Sequence, residues 1–155
     1  MRIELVFLGK TREKYLAEGI EDFTKRLSRY TRLEIKTIKD KQHQKKLSEK
    51  QAKESEGRDL LAAVNSSLLV CLDRTGKQID SEGLASQIKQ WEMQGQKSVC
   101  FLIGGPLGFA PAVLKQADLV LSLSPLTFTH EMTRLLVLEQ LYRAYTINAG
   151  EKYHK

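Results

Sequence analysis

Cysteine and histidine are scarce in these 155 residues, and each shortage closes a class of explanation. The two cysteines, Cys71 and Cys100, each sit inside an apolar run and lack CxxC spacing. They support neither a disulfide framework nor a thiolate metal centre, so both are expected as reduced core residues. The three histidines, His43, His130 and His154, are scattered along the chain, and no metal site is expected. No apolar stretch approaches the ~18–20 residues of a membrane span. The opening residues Met1 to Leu8 alternate like a strand and lack the layout of a signal peptide. A cytoplasmic chain without membrane association is the expectation. Repeats, low-complexity tracts and long linkers are also missing. The length fits one domain, residues 1–155, with a real core.

What is present begins with charge. The net charge is +6, which favours a polyanionic partner only weakly. It is not spread evenly. Between Arg32 and Lys53 stand eight cations (Arg32, Lys36, Lys39, Lys41, Lys45, Lys46, Lys50, Lys53) against Glu34, Asp40 and Glu49. This stretch reads either as a solvated surface segment or as a patch that contacts phosphates with salt-dependent affinity.

Apolar periodicity alternates between the two regular types. Strands are predicted at 2–8, 32–38, 68–73, 97–103 and 118–123. Helices are predicted at 12–30, 44–64, from Asp80 or Ser81 to about Gln94, at roughly 110–117, and at about 130–147. Residues 73–77 read as a loop, and a polar tail follows the last helix. Continuous apolar strands alternating with helices imply an α/β fold: a mainly parallel sheet with helices on both faces. Ligands in such sheets bind along the carboxyl edge of the strands. Three candidate segments fall on that edge: Leu72 and Asp73, Gly104 to Gly108, and Ser122 to Thr129.

The middle segment is the most distinctive. The run Phe101-Leu-Ile-Gly-Gly-Pro-Leu-Gly108 is an apolar strand entering a turn with three glycines and a proline. Glycine permits φ > 0 and close backbone approach, and proline fixes the turn. The run lacks the Gly-Lys-Ser/Thr of a P-loop and the Gly-x-Gly-x-x-Gly of a dinucleotide fingerprint. By itself it is equally a structural turn or a ligand cradle.

The last helix is apolar nearly all round, from Met132 to Ile147, and must be buried on every side. In a chain this short, part of that burial is expected from a second subunit. Glu139 and Arg143 stand at i and i+4 on it. Such a pair is worth ~0.3–0.5 kcal/mol on a helix surface, but on so apolar a helix it is expected in an interface or a site.

Four segments in this order carry a resemblance: Leu-Ile-Gly-Gly-Pro-Leu-Gly at 102–108, Leu-Ser-Leu-Ser-Pro-Leu-Thr-Phe-Thr-His at 121–130, the helix from Arg134 to Tyr145, and the ending Tyr153-His154-Lys155. Together with Leu8-Gly9-Lys10 after the first strand, the chain resembles the ribosomal RNA large subunit methyltransferase H family. That family is a small bacterial member of the SPOUT class. The resemblance covers the whole chain. It implies a C-terminal trefoil knot, a homodimer, S-adenosylmethionine as cofactor, and methylation of N3 of a pseudouridine in helix 69 of 23S rRNA within the assembled ribosome.

It also implies site residues. Cofactor contacts fall on Leu72, Gly105, Ser124, Pro125, Leu126, Thr127, Phe128 and Thr129. Main-chain groups of 124–129 would read the adenine edge, with Leu72, Leu123 and Leu126 against its faces. Glycine at 105 would allow the backbone to approach the ligand. The family's Tyr-His-Arg ending is matched by Tyr153-His154-Lys155, where Lys155 keeps the charge without the bidentate fork. That ending would order over the target nucleotide.

N3 of a uracil-type ring carries a proton, so transfer there requires a base and orientation. His154 is the first candidate, because imidazole titrates near neutral pH, and Glu139 is the second. Arg143 would stabilise the developing anion or clamp a phosphate, and Tyr153 would stack on the base or hydrogen-bond to it. His130 reads equally as a helix cap or a participant. Two other classes compete: a non-enzymatic RNA-binding factor of the same fold, and an α/β enzyme acting on a small substrate.

Overall fold

Five parallel strands run through the centre of the molecule, and their alternation decides which face each helix covers. The computed structural model describes residues 1–40 and 47–154. The cations Lys41, Lys45 and Lys46, His43, the expected helix start at 44, and Lys155 lie outside the described residues. The strands are β1 (Arg2–Leu8), β2 (Leu33–Ile38), β3 (Leu68–Gln78), β4 (Ser98–Ile103) and β5 (Leu119–Ser122). They lie in the order β2-β1-β4-β3-β5, and every pairing is parallel.

Because side chains alternate across a strand, each central strand supplies both faces. Ile3, Leu5 and Phe7 of β1, Val99, Phe101 and Ile103 of β4, and Leu68, Val70 and Leu72 of β3 face one layer. That layer contains α1 (Lys14–Leu27), α3 (Ser81–Met93) and α5 (His130–Asn148). Val6, Leu8, Cys100, Leu102, Leu69 and Cys71 face the other. There they meet α2 (Glu49–Ala62) and α4 (Pro111–Leu114). Burial on both faces is why these strands read as unbroken apolar runs. Both thiols are buried and unpaired, and burial pushes each up to about 12.

Helix starts follow their local chemistry. Ser48 and Gln51 form a reciprocal capping box at α2. Asp80 accepts from the Gly83 amide at α3, and Thr129 from the Met132 amide at α5. Thr129, not His130, therefore caps the last helix. Helix α1 is shorter than expected, because residues 28–30 tighten into turns that lead to β2.

Two expectations change. Residues 73–77 are not a free loop: β3 continues to Gln78 past a bulge, with both Leu72 and Lys77 opposite Leu121. The Asp73 carboxylate closes the bulge by accepting from the Thr75 amide and hydroxyl. Gly76 then lies against the main chain of Val120, where a Cβ would stand 2.6 Å from its carbonyl. The second change concerns α5. Its residues 130–147 are all buried or half-buried within one chain, between α1, α3, the sheet and a final 3-10 turn at Lys152–His154. The apolar circumference therefore does not by itself require a second subunit.

Candidate active site

Parallel strands bring three loops to one edge, and between them lies a cavity of about 890 Å³. This volume lies within the range of pockets that enclose a drug-sized ligand. Strand ends supply apolar wall through Leu72, Ile103 and Leu121, with Leu123 just beyond. The glycine loop from Gly104 to Phe109 forms one side, and the segment from Leu123 to His130 another. All the expected cofactor residues line the cavity except Pro125. Sequence reasoning missed Arg74, Thr75, Phe109, Leu114 and Thr133 of α5, and it placed Lys53 of α2 in the basic stretch; all of them line the cavity too. Thr133 had a signal, since it follows Thr129 at i+4 on one helical face.

The glycine turn closes by a bond from the Gly108 amide to the Gly105 carbonyl at 3.0 Å, with Gly108 at φ 72°. Gly105 is also crowded by its own chain. A Cβ there would stand 2.9 Å from Glu56 Oε2 and 3.2 Å from Leu8 Cδ1, so a side chain at this position would have to displace both. In the opposite segment, Ser122 Oγ donates to the Ser124 carbonyl at 3.0 Å, and Ser124 Oγ accepts from the Leu126 amide at 3.0 Å. These short bonds shape a loop outside helix and strand. Leu126 is 72% exposed at its rim and Phe128 37%.

At the start of α5, His130 faces the cavity. Its pKa is lowered by burial, then by the positive charge of Arg134. Arg134 is almost wholly buried (1% exposed). It donates to the Leu8 carbonyl at 2.5 Å and to Thr11 Oγ1 at 2.9 Å, and its guanidinium lies 4.0 Å from the centre of the Phe7 ring.

The four expected catalytic residues lie elsewhere. Arg143 Nη2 meets Glu139 Oε1 at 2.5 Å, and the Tyr153 hydroxyl donates to the same oxygen at 3.1 Å. Arg143 lies 4.8 Å over the Tyr153 ring, which packs edge-on against Tyr142 at 4.7 Å. Burial, then the Glu139 charge, raises the Tyr153 phenol, keeping it protonated as a donor. His154 Nε2 stands 3.8 Å from Glu82 Oε1. The tail is thus docked on α5, where composition alone predicts disorder. None of these four side chains lines the cavity of its own chain. Glu139 lies nine residues beyond His130, roughly 13 Å along the helix at ~1.5 Å per residue.

Comparison with known proteins fits this arrangement. The sequence profile described as "Predicted SPOUT methyltransferase" matches residues 1–154. The chain belongs to the SPOUT methyltransferase family. Within it, relatives matched over the full length of both chains include ribosomal RNA large subunit methyltransferase H proteins. The one from Desulfotalea psychrophila is 52% identical, and the one from Clostridioides difficile 45%. Lpg2936 of Legionella pneumophila, solved as a methyltransferase with the cofactor SAM bound, shares the fold. Its TM-score is 0.54 at 14% identity, covering 93% of this chain and 66% of that one.

As a SPOUT chain, the molecule presents two separate chemistries. The cavity offers apolar walls, small residues and main-chain groups suited to enclosing a flat heterocycle with a flexible arm. The tail cluster offers a phenol, a guanidinium and a carboxylate, with the His154 imidazole set beside Glu82 of α3. Among the described residues, no group of three or more His, Cys, Asp or Glu side chains is arranged to hold a metal. No helix among them is long and apolar enough to cross a membrane.

Proposed function

We propose that this chain, an S-adenosylmethionine-dependent ribosomal RNA methyltransferase, methylates N3 of a pseudouridine in helix 69 of 23S rRNA in the assembled ribosome, acting as a homodimer. The observation that carries the reading is the cavity between the glycine loop and residues 124–129, in a chain that matches ribosomal RNA methyltransferases from end to end. The cavity fits the cofactor. Leu72, Leu123 and Leu126 give apolar surface for the adenine, and the 124–129 main chain supplies donors and acceptors for its edge. When bound, the cofactor supplies a methyl group already activated on a sulfonium.

The rest falls to the chain's own residues. His154 takes the proton from N3, since a neutral imidazole is a competent base near pH 7. Glu139 positions Arg143 and Tyr153. Its carboxylate already accepts from Arg143, Gln140 and Tyr153, which leaves little capacity for a substrate proton. Arg143 balances the negative charge that spreads over the ring as N3 loses its proton. Tyr153 stacks on the base or donates to it.

The tail cluster is far along α5 from the cavity of its own chain, and this favours a site shared between two copies. The tail of one copy would meet the cavity of the other, covering Leu126 and Phe128. The test is methyl transfer from labelled S-adenosylmethionine to bacterial ribosomes lacking the modification, with the product nucleotide mapped by mass spectrometry. Label on N3 of the helix 69 pseudouridine is expected. Label on another nucleotide, or none despite cofactor binding, would contradict the substrate assignment.

A further inference from the structure

The loop between β1 and α1, residues 9–13, lies on the same carboxyl edge of the sheet as the cavity. It is tied to the cavity walls on two sides. At its start, Leu8 packs 3.2 Å from where a Gly105 side chain would begin. From above, two side chains in the first turns of α5 hold it. Arg134 donates to the Leu8 carbonyl and the Thr11 hydroxyl. The Glu131 carboxylate accepts from the Arg12 amide at 2.9 Å and the Glu13 amide at 3.2 Å. The second bond satisfies the amide of Glu13, the N-cap residue of α1, whose own side chain makes no cap.

This clasp is costly. Arg134 is a buried cation whose Nε has no hydrogen-bond partner among the described residues, and burial lowers its pKa. A buried charge rarely improves on an apolar residue of similar size for stability alone. What the clasp accomplishes is to fix the loop with Lys10 and Arg12 both exposed. Neither forms an ion pair with an acidic side chain among the described residues. Arg12 is close enough to contribute to the potential at His130 on the cavity wall. Nearby acids are Glu13, Asp40 and Glu131, and Glu131 is already engaged with main-chain amides. At full extension two residues span about 7 Å, so the pair can address two neighbouring phosphates.

We propose that Lys10 and Arg12 form a phosphate-binding lip for the RNA beside the methyl-transfer cavity, and that Arg134 and Glu131 are the positioning residues that hold it. This rests on the RNA-substrate reading above. The lip orients the strand that enters the cavity while the cofactor site stays independent of it.

The test uses the full chain and 70S ribosomes, with binding measured across a potassium chloride series and cofactor affinity measured separately. Lys10→Gln with Arg12→Gln is expected to weaken ribosome binding about tenfold or more at low salt. It should also flatten the logarithmic salt slope by about one for each phosphate no longer neutralised. S-adenosylmethionine affinity should hold. Arg134→Met removes the clasp without removing a surface charge, and is expected to lower ribosome affinity in the same direction. In the triple variant the two effects should be less than additive, as for residues acting as one unit. Glu131→Ala gives a second way to loosen the loop if Arg134→Met does not fold. An unchanged affinity and salt slope in Lys10→Gln/Arg12→Gln would overturn the lip alone. Wild-type protein that neither binds nor methylates ribosomes would overturn the RNA reading and the lip together. Loosened variants that lose thermal stability but keep the wild-type affinity would reduce Arg134 and Glu131 to a structural role and refute their positioning one.

Discussion

A methyl group added at Gly76 would stand 2.6 Å from the carbonyl carbon and oxygen of Val120, closer than any real contact of that kind. Main chain cannot swing aside as a flexible side chain can. Gly76→Ala is therefore expected to cost ~1–3 kcal/mol, the typical range for overpacking, and denaturant unfolding measures it. The two cysteines give a second residue-scale expectation. With both thiols buried and raised to about 12, neither should react with an alkylating agent at pH 8 in the folded protein. Both should react once it unfolds, and mass spectrometry counts the adducts. His130 gives a third. Its folded pKa lies below the ordinary histidine value, because burial and Arg134 disfavour the charged form. The unfolded chain then binds more protons between the two values, so the neutral imidazole's contribution is present above about pH 6.5 and is lost as pH falls. An NMR titration should place its midpoint below that of a free histidine. Stability lost toward pH 5 should be smaller in His130→Asn.

At the scale of elements, what the sequence revealed depended on whether the signal was local. The strands were legible because burial on both faces writes continuous apolar runs, and the cap at Asp80 because one side chain serves one amide. The extension of β3 through Gly76 was not. Asp73, Arg74, Thr75 and Gly76 look like a turn, and only the neighbouring main chain of Val120 makes them part of a strand pair. The crowding at Gly105 was equally hidden, since Glu56 reaches it from a helix nearly fifty positions earlier. For the last helix, an all-round apolar surface correctly implied all-round burial. It could not say whether the cover comes from the same chain, and much of it does, through α1, α3 and the tail. The tail turn itself is held by the Tyr153 hydroxyl on Glu139 and the ring on Tyr142. If His154 is the base, His154→Ala should lower kcat by ~10²–10⁴ with S-adenosylmethionine affinity unchanged by calorimetry. A rate change of twofold or less would move that role to Glu139 or to water.

The whole molecule places its cavity at one end of α5 and the Glu139, Arg143 and Tyr153 cluster toward the other. A single chain keeps them apart, and two copies can join them. A 17.7 kDa chain should therefore sediment as a dimer of about 35 kDa. The most direct measurement is complementation between two inactive variants. Leu123→Trp puts a bulky ring into the cavity wall, and His154→Ala removes the tail imidazole. Mixed after subunit exchange, half of the dimers carry one of each. If the tail acts on the partner's cavity, every mixed dimer has one intact site, and about a quarter of the wild-type methyl-transfer rate should return. No recovery beyond the sum of the two variants would mean that cavity and tail serve the same chain, and would contradict the shared site.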